Sequence, residues 1–298
     1  MSSILLRFMS IDILGEGLVD LVPTAPGALS PLVPALGGGP YNVAIASARL
    51  GAEVSFQSRL STDAFGNALM EQLEHEGVNT TAVQRGNEPT TLAVTSLHAD
   101  GSAAYSFYTE GTADRFITPQ LVSADIACFG TLSLALEPGA SRYGALLRDY
   151  ANEGTLVALD PNIRPAFATD AHREFLLSLL DHVDLLKLSE EEVDFLGKGA
   201  LNRVPVVVVT RGDEGIEANT PQGSFATGPH IVEVADTIGA GDTVMAALLT
   251  ELDRRGVGKQ GLFNVSCWDE ILSFAARAAA ITVSRRGANP PTRLEVES

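Results

Sequence analysis

Short apolar runs rich in β-branched residues alternate along the chain with longer stretches whose apolar positions recur at helical spacing. Six runs read as strands: Ser10–Glu16, Val54–Ser58, Ile126–Thr131, Thr155–Asp160, Val183–Leu188 and Val204–Thr210. The last four are apolar at nearly every position, as in strands covered on both faces. Between them, Asn42–Leu50, Phe65–Glu76, Arg142–Glu153, His172–Leu180 and Glu190–Leu196 carry apolar residues at helical spacing. Gly51 and Gly77 stand where a glycine ends two of those helices. This alternation predicts an α/β fold with a mostly parallel central sheet between helical layers.

One segment breaks the pattern. Thr91–His98 and Ser102–Thr109 flank Ala99-Asp100-Gly101, a hairpin signal within a parallel arrangement. The expectation is a small β-flap beside the main sheet, completed by residues from Val19–Leu36 and closing over the site to exclude water. An edge addition to the main sheet is the alternative. With no internal repeat, low-complexity tract or long linker, residues 1–298 read as a single domain with lid segments at 19–36 and 88–114.

Composition narrows the function classes. The 298 residues, 45% of them hydrophobic, suffice for a sizeable core. The formal net charge of −17 argues against nucleic acid or an acidic lipid surface as a general partner. An anionic nucleotide then has to be held by local arginines, backbone dipoles and a divalent ion. No apolar run reaches the length of a membrane span. The stretch Met1–Phe8 is too short for a signal peptide, and Met9 is a second candidate start. Cys128 and Cys267 share no metal-ligand spacing, and the five histidines (His75, His98, His172, His182, His230) are scattered, so a zinc site is not indicated. Reduced thiols and a cytoplasmic location are expected.

The segment carrying most chemical information is Asp236-Thr237-Ile238-Gly239-Ala240-Gly241-Asp242, followed by the helical pattern Thr243–Leu252. Small residues at Gly239, Ala240 and Gly241 let backbone N–H groups approach an anion, and a helix N-terminus adds its dipole there. A carboxylate beside such an anion hole, Asp242, suits the base of a phosphoryl transfer. Taken alone, the motif reads more simply as a glycine turn capped by Asp242. Other polar residues follow strands, where doubly wound sheets bind ligands. Asp20 follows the first strand, and Asn42 comes after Gly37-Gly38-Gly39-Pro40-Tyr41, so a carboxylate and an amide stand where they can hold vicinal hydroxyls; singly, they read as turn and cap residues. Asp160-Pro161-Asn162-Ile163-Arg164-Pro165 is stiffened by its prolines and offers a guanidinium to phosphate or sugar, or to a surface ion pair. Thr210-Arg211-Gly212-Asp213-Glu214-Gly215 fits a nucleotide-facing turn or a plain hairpin turn equally. No Walker ending follows Gly37–Gly39 and no G-x-G-x-x-G follows the first strand, so a dinucleotide-dependent oxidoreductase has little support. A late alanine-rich stretch, Ile271–Val283, reads as a buried helix.

Along nearly its whole length the chain resembles the ribokinase-like (PfkB) sugar kinases, and within them the bacterial fructokinases. The C-terminal signature of that family is matched by Asp236–Asp242 and its Gly-Gly signature by Gly37–Asn42, with Arg59–Gly66 as the usual continuation. Similarity to fructokinases rests on Gly15–Pro23, Pro89–Ala93, Gly111–Asp114 and Asp160–Pro165. The resemblance implies a three-layer αβα Rossmann-like ribokinase fold with a β-flap lid, and ATP with Mg²⁺ as phosphoryl donor. It implies Asp242 as base, Gly239, Ala240 and Gly241 as anion hole, and Asp20, Gly38, Asn42 and Arg164 as sugar- or phosphate-binding positions. Thr210 and Gly212 match the nucleotide side, and Ala276 stands where many relatives carry an asparagine near adenine. Ser189 and Glu192 match the Asn-x-x-Glu motif linked to Mg²⁺ and phosphate, with serine in place of the amide. A monovalent cation, K⁺, is implied near Asp236 and the Ser284–Gly287 turn. The expected reaction is phosphorylation of D-fructose by ATP at its primary hydroxyl. Alternatives are a 2-keto-3-deoxygluconate kinase or ribokinase, and, from a different class, a catalytically silent sugar-binding regulator. An exposed flap edge would also suit a homodimer.

Overall fold

The computed structural model describes residues 10–27, 29–97 and 103–298. The expected turn at Ala99-Asp100-Gly101 and the alternative start at Met9 lie outside the described residues.

The chain opens with β1 (Ser10–Leu14), β2 (Leu18–Pro23), β3 (Leu32–Gly37), α1 (Gly39–Arg49), β4 (Glu53–Gln57), β5 (Arg59–Ser61) and α2 (Ala64–His75). It continues through β6 (Gln84–Gly86), β7 (Leu92–Leu97), β8 (Ala103–Tyr108), β9 (Ile126–Gly130), α3 (Gly139–Asn152), β10 (Leu156–Asp160) and α4 (Asp170–Leu179). Then come β11 (Leu185–Ser189), α5 (Glu190–Leu196), α6 (Lys198–Leu201), β12 (Val206–Thr210), β13 (Ile216–Thr220) and β14 (Gly223–Thr227). The last helices are α7 (Ala240–Arg254), α8 (Trp268–Val283) and α9 (Arg293–Glu297).

The main sheet has the order β14-β13-β12-β11-β10-β9-β1-β4. All its neighbours from β4 to β12 are parallel, and these six strands are the six expected from the apolar runs. Successive residues of each buried strand point to opposite faces. Ile126 and Cys128 pack under α1, α7 and α8, whereas Ala127 and Phe129 pack under α3 and α4. Both faces are therefore apolar, which requires helices on each side and gives the three layers. Each fully buried Leu, Ile or Phe stabilises this sandwich by about 1.5–3 kcal/mol.

The structure departs from the sequence reading at the far edge. Thr210–Gly215 is a hairpin turn: β13 runs antiparallel to β12, and β14 antiparallel to β13. Their sequences, Ile-Glu-Ala-Asn-Thr and Gly-Ser-Phe-Ala-Thr, are short and half polar, because mainly one face is covered, so no continuous apolar run marks them.

A separate four-stranded sheet, order β3-β2-β7-β8, stands beside the main one. Within it β2–β3 and β7–β8 are antiparallel and β2–β7 parallel. It is not an extension of the main sheet's edge. Its contact with the body includes a small apolar cluster of Leu18, Ala93 and Leu132, with Phe107 and Phe167 against it.

β9 and β10 approach closely at the end of the main sheet where Gly130 lies. A Cβ on Gly130 would lie 2.1 Å from the Asp160 carbonyl oxygen on the neighbouring strand. Gly130→Ala is therefore expected to cost about 1–3 kcal/mol through overpacking, read as a lower midpoint in urea denaturation. An unchanged midpoint would show that the strands part freely.

Candidate active site

Parallel strands deliver all their carboxyl ends to one side, and there a cleft of ≈ 660 Å³ opens between the main and second sheets. Asp20, Gly38, Asn42, Arg164, Lys187 and Asp242 are among its walls. A wider groove of ≈ 820 Å³ beside α5, α6 and β13 contains none of the candidate site residues.

α7 begins abruptly at this cleft. Gly239 is its N-cap with φ 78°, a left-handed conformation that glycine adopts without penalty, and a Cβ there would sit 2.8 Å from the Ala288 methyl carbon. Ala240, Gly241 and Asp242 form the first turn, whose N–H groups have no helical acceptor behind them and present a partial positive charge. Asp242 is thus inside the helix and not its cap. Its Oδ2 accepts a 2.8 Å hydrogen bond from Asn42 Nδ2 on α1. Asn42 is likewise a site residue rather than a cap. Burial raises the Asp242 pKa, and the Asn42 hydrogen bond, Lys187 and Arg164 pull in the opposite direction.

Across the cleft, β2 carries Asp20, which burial raises from 3.8 to about 6; Arg164 opposes that shift and Asp242 adds to it. Gly37 leaves room for this carboxylate, since a Cβ there would be 2.4 Å from Asp20 Oδ2. Gly38 lets the chain pass the Glu16 carbonyl oxygen, 2.7 Å from where its Cβ would be.

Beneath the anion hole is a residue that sequence reasoning missed. Lys187, on β11, pairs with Asp160 Oδ2 at 2.9 Å, with side chains 5% and 4% exposed. A Cβ on Gly241 would lie 3.4 Å from the Lys187 ammonium. Burial opposes the charge on Lys187, but Asp160, Glu192 and Asp242 outweigh it and hold its pKa above the ordinary value. Burial pushes Asp160 up to about 7, against the pull of Lys187 and with help from Glu192 and Asp242. A lysine inside the apolar run Leu185-Leu186-Lys187-Leu188 was the available signal.

The remaining candidates divide. Ser189 caps α5 in a capping box: its hydroxyl accepts from Glu192 N–H at 3.3 Å, and Glu192 Oε2 accepts from Ser189 N–H at 2.7 Å. Glu192 Oε1 takes the Ile163 N–H at 2.6 Å, so this carboxylate braces the Asp160–Pro165 loop as well as bordering the cleft. Thr210 borders the cleft, whereas Gly212 lies exposed in the β12–β13 turn, away from it. Ala276, on α8, is buried in the core and does not line the cleft: only a methyl group stands there. Asp236 accepts from Ile238 N–H at 3.1 Å and from Gly287 N–H at 3.0 Å, tying the anion-hole loop to the Ser284–Gly287 turn.

Among the described residues no group of three or more His, Cys, Asp or Glu is arranged to hold a metal ion by itself. Mg²⁺ binds commonly through one or two carboxylates plus phosphate oxygens and water. Glu191 and Glu192 at the cleft fit that donor set. Among the same residues no helix is long and apolar enough to cross a membrane.

A buried carboxylate in the first turn of a helix, at the strand ends of a three-layer αβα fold, is an arrangement suited to phosphoryl transfer. The chain matches the pfkB family carbohydrate kinases over residues 10–294 and belongs to that family. It is 33% identical to the probable fructokinase-4 of Arabidopsis thaliana, across 95% of this chain and 94% of that protein. Its fold is similar to the fructokinase with bound ATP from Xylella fastidiosa, with a TM-score of 0.88, 27% identity and 97% of each chain covered. The fructokinase of Vibrio cholerae O395, solved with fructose, ADP and calcium, aligns with a TM-score of 0.80 at 25% identity over 94% of each chain.

Asp20 gives the site a measurable signature. Its carboxyl is raised from 3.8 in the unfolded chain to about 6 on folding. As pH climbs through that interval the unfolded chain releases the proton first, so this group's contribution to stability is lost. Asp20→Asn is expected to raise the Tm at pH 7, with the gain vanishing below pH 3.8. Thermal denaturation at both pH values checks this; a variant less stable at pH 7 would contradict it.

Proposed function

We propose that this protein is an ATP-dependent fructokinase, converting D-fructose and ATP to fructose 6-phosphate and ADP. The observation that carries the reading is the Asn42–Asp242 hydrogen bond at the α7 N-terminus, facing Asp20 across the cleft. In this reading Asp20 and Asn42 receive sugar hydroxyls, and Asp242 takes the proton of the primary hydroxyl as its oxygen bonds to the γ-phosphorus. The bond from that phosphorus to the bridging oxygen breaks, and ADP leaves. Burial of Asp242 strengthens it as a base. The N–H groups at Gly239, Ala240 and Gly241 stabilise charge on the transferred phosphoryl from fixed positions, where they need no reorganisation. Mg²⁺, when bound with the nucleotide, neutralises charge on its phosphate oxygens. Glu191 and Glu192 would supply its carboxylate side, and K⁺ would sit by the loop that Asp236 ties to Gly287.

Arg164 is the arginine that borders the cleft. Arg115, another candidate partner for an acid sugar, is instead committed to the Glu137 and Thr109 carbonyls and to Glu110. Among the described residues that leaves Arg164 as the guanidinium open to a phosphate or to the carboxylate of an acid sugar, so the comparison of fructose with 2-keto-3-deoxygluconate decides between the two acceptors.

The second sheet acts as the lid in this reading, and residues 1–298 work as one kinase domain in the cytoplasm. Its edge strand β3 exposes Leu32 and Val33, and β8 exposes Tyr105 and Tyr108, a surface suited to a homodimer. Light scattering should give twice the chain mass at working concentration; a monomer would end the dimer proposal.

Release of ADP in a coupled assay, with MgATP and with or without K⁺, should show the highest kcat/KM for fructose over 2-keto-3-deoxygluconate and ribose. Asp242→Asn should lower kcat by at least about 10²-fold. Near-full turnover in that variant would remove Asp242 from the base role, and preference for another acceptor would move the substrate while keeping the chemistry.

A further inference from the structure

Among the described residues only Thr131 and Asn162 are non-glycine residues with positive φ, at 62° and 40°. A β-branched residue in that region is strained and persists only where its surroundings impose it. The two follow the paired strands β9 and β10, and they converge on one point. A Cβ on Gly39 would lie 2.3 Å from Thr131 Cγ2 and 3.4 Å from Asn162 Nδ2. Both border the cleft that Asp20 also lines.

What imposes the Thr131 conformation is Glu16, in the Gly15–Gly17 link that carries β1 of the main sheet into β2 of the second. Its side chain is 1% exposed. Glu16 Oε1 accepts from the Thr131 hydroxyl, and Oε2 accepts from both the N–H (3.1 Å) and the hydroxyl of Ser133. Three donors converge on one buried carboxylate, a set that no neutral side chain satisfies.

We propose that Glu16 is a positioning residue for the sugar: it holds the Thr131 turn in its left-handed conformation and sets that turn against Gly39 and Asp20. The same carboxylate fixes where β2, and with it Asp20, leaves the main sheet. The inference rests on the sugar-kinase reading above and deepens it, since it assigns sugar affinity to a residue the sugar does not touch.

The test is kinetic, on the acceptor that the wild-type enzyme phosphorylates best. Glu16→Met should raise the KM for the sugar about tenfold, the scale of a lost buried charged hydrogen bond. The KM for ATP should stay within about twofold, because the Glu16 hydrogen bonds reach Thr131 and Ser133 and not the nucleotide-side candidates Thr210 and Gly212. Glu16→Gln, which keeps one acceptor, should fall between Glu16→Met and wild type. The decisive comparison is on a Thr131→Gly background, where glycine takes the left-handed conformation unaided. There Glu16→Met should change sugar KM by less than about twofold, the non-additivity of residues acting through one another. Should Glu16→Met not fold, Ser133→Ala and Glu16→Gln carry the same cycle at about threefold amplitude. An unchanged sugar KM, an equal rise in both KM values, or an effect undiminished on the Thr131→Gly background would each overturn the proposal. Failure of wild-type protein to phosphorylate any sugar would instead remove the kinase reading on which the proposal rests.

Discussion

The site depends on one buried cation. Lys187 stands among Asp160, Glu192 and Asp242, with its ammonium 2.9 Å from Asp160 and almost out of solvent. Buried ion pairs contribute little net stability, because desolvation offsets their attraction. This one matters for what it permits. Three carboxylates in a dry pocket repel one another, and without a compensating charge they would take up protons. Even with it, Asp160 is held up near 7. In a chain of net charge −17, this lysine and the fixed dipole of α7 make the cleft habitable for a polyanion.

Much of the fold was legible from periodicity, for a definite reason. Strands covered on both faces must be apolar throughout, and Ile126–Gly130 or Val206–Thr210 announce themselves. β13 and β14 have less cover and no such run, so the Arg211–Gly215 turn stayed ambiguous until its antiparallel pairing was seen. At the site, Asp242 and the glycines before it read alone as a capped glycine turn, and they gained weight only from the other motifs along the chain. Lys187 and Glu16 did not. One sits within a hydrophobic strand and the other between two glycines, and each acquires meaning only from partners far along the chain. Ala276 and Gly212 are the candidates that the cleft does not include. Their positions match a pattern, but one side chain is a methyl in the core and the other residue faces outward.

The two sheets are held together very differently from the layers of the core. The second sheet joins the body through four chain links, 15–17, Gly38, 87–91 and 109–112, with Leu18 and Ala93 against Leu132, Leu36 against the main core, and the Phe107 and Phe167 rings 5.4 Å apart. The ring contact also joins β8 to the loop that carries Arg164, so movement of that strand is felt at the guanidinium.

The Asn42–Asp242 bond spans 200 residues of sequence. A ribosome therefore completes the sugar-facing loops long before it completes α7, and a growing or truncated polypeptide holds hydroxyl acceptors without a base or an anion hole. In the kinase reading proposed above, nucleotide consumption is in this way withheld until α7 has been translated. An aborted product would be inert toward ATP rather than a wasteful hydrolase.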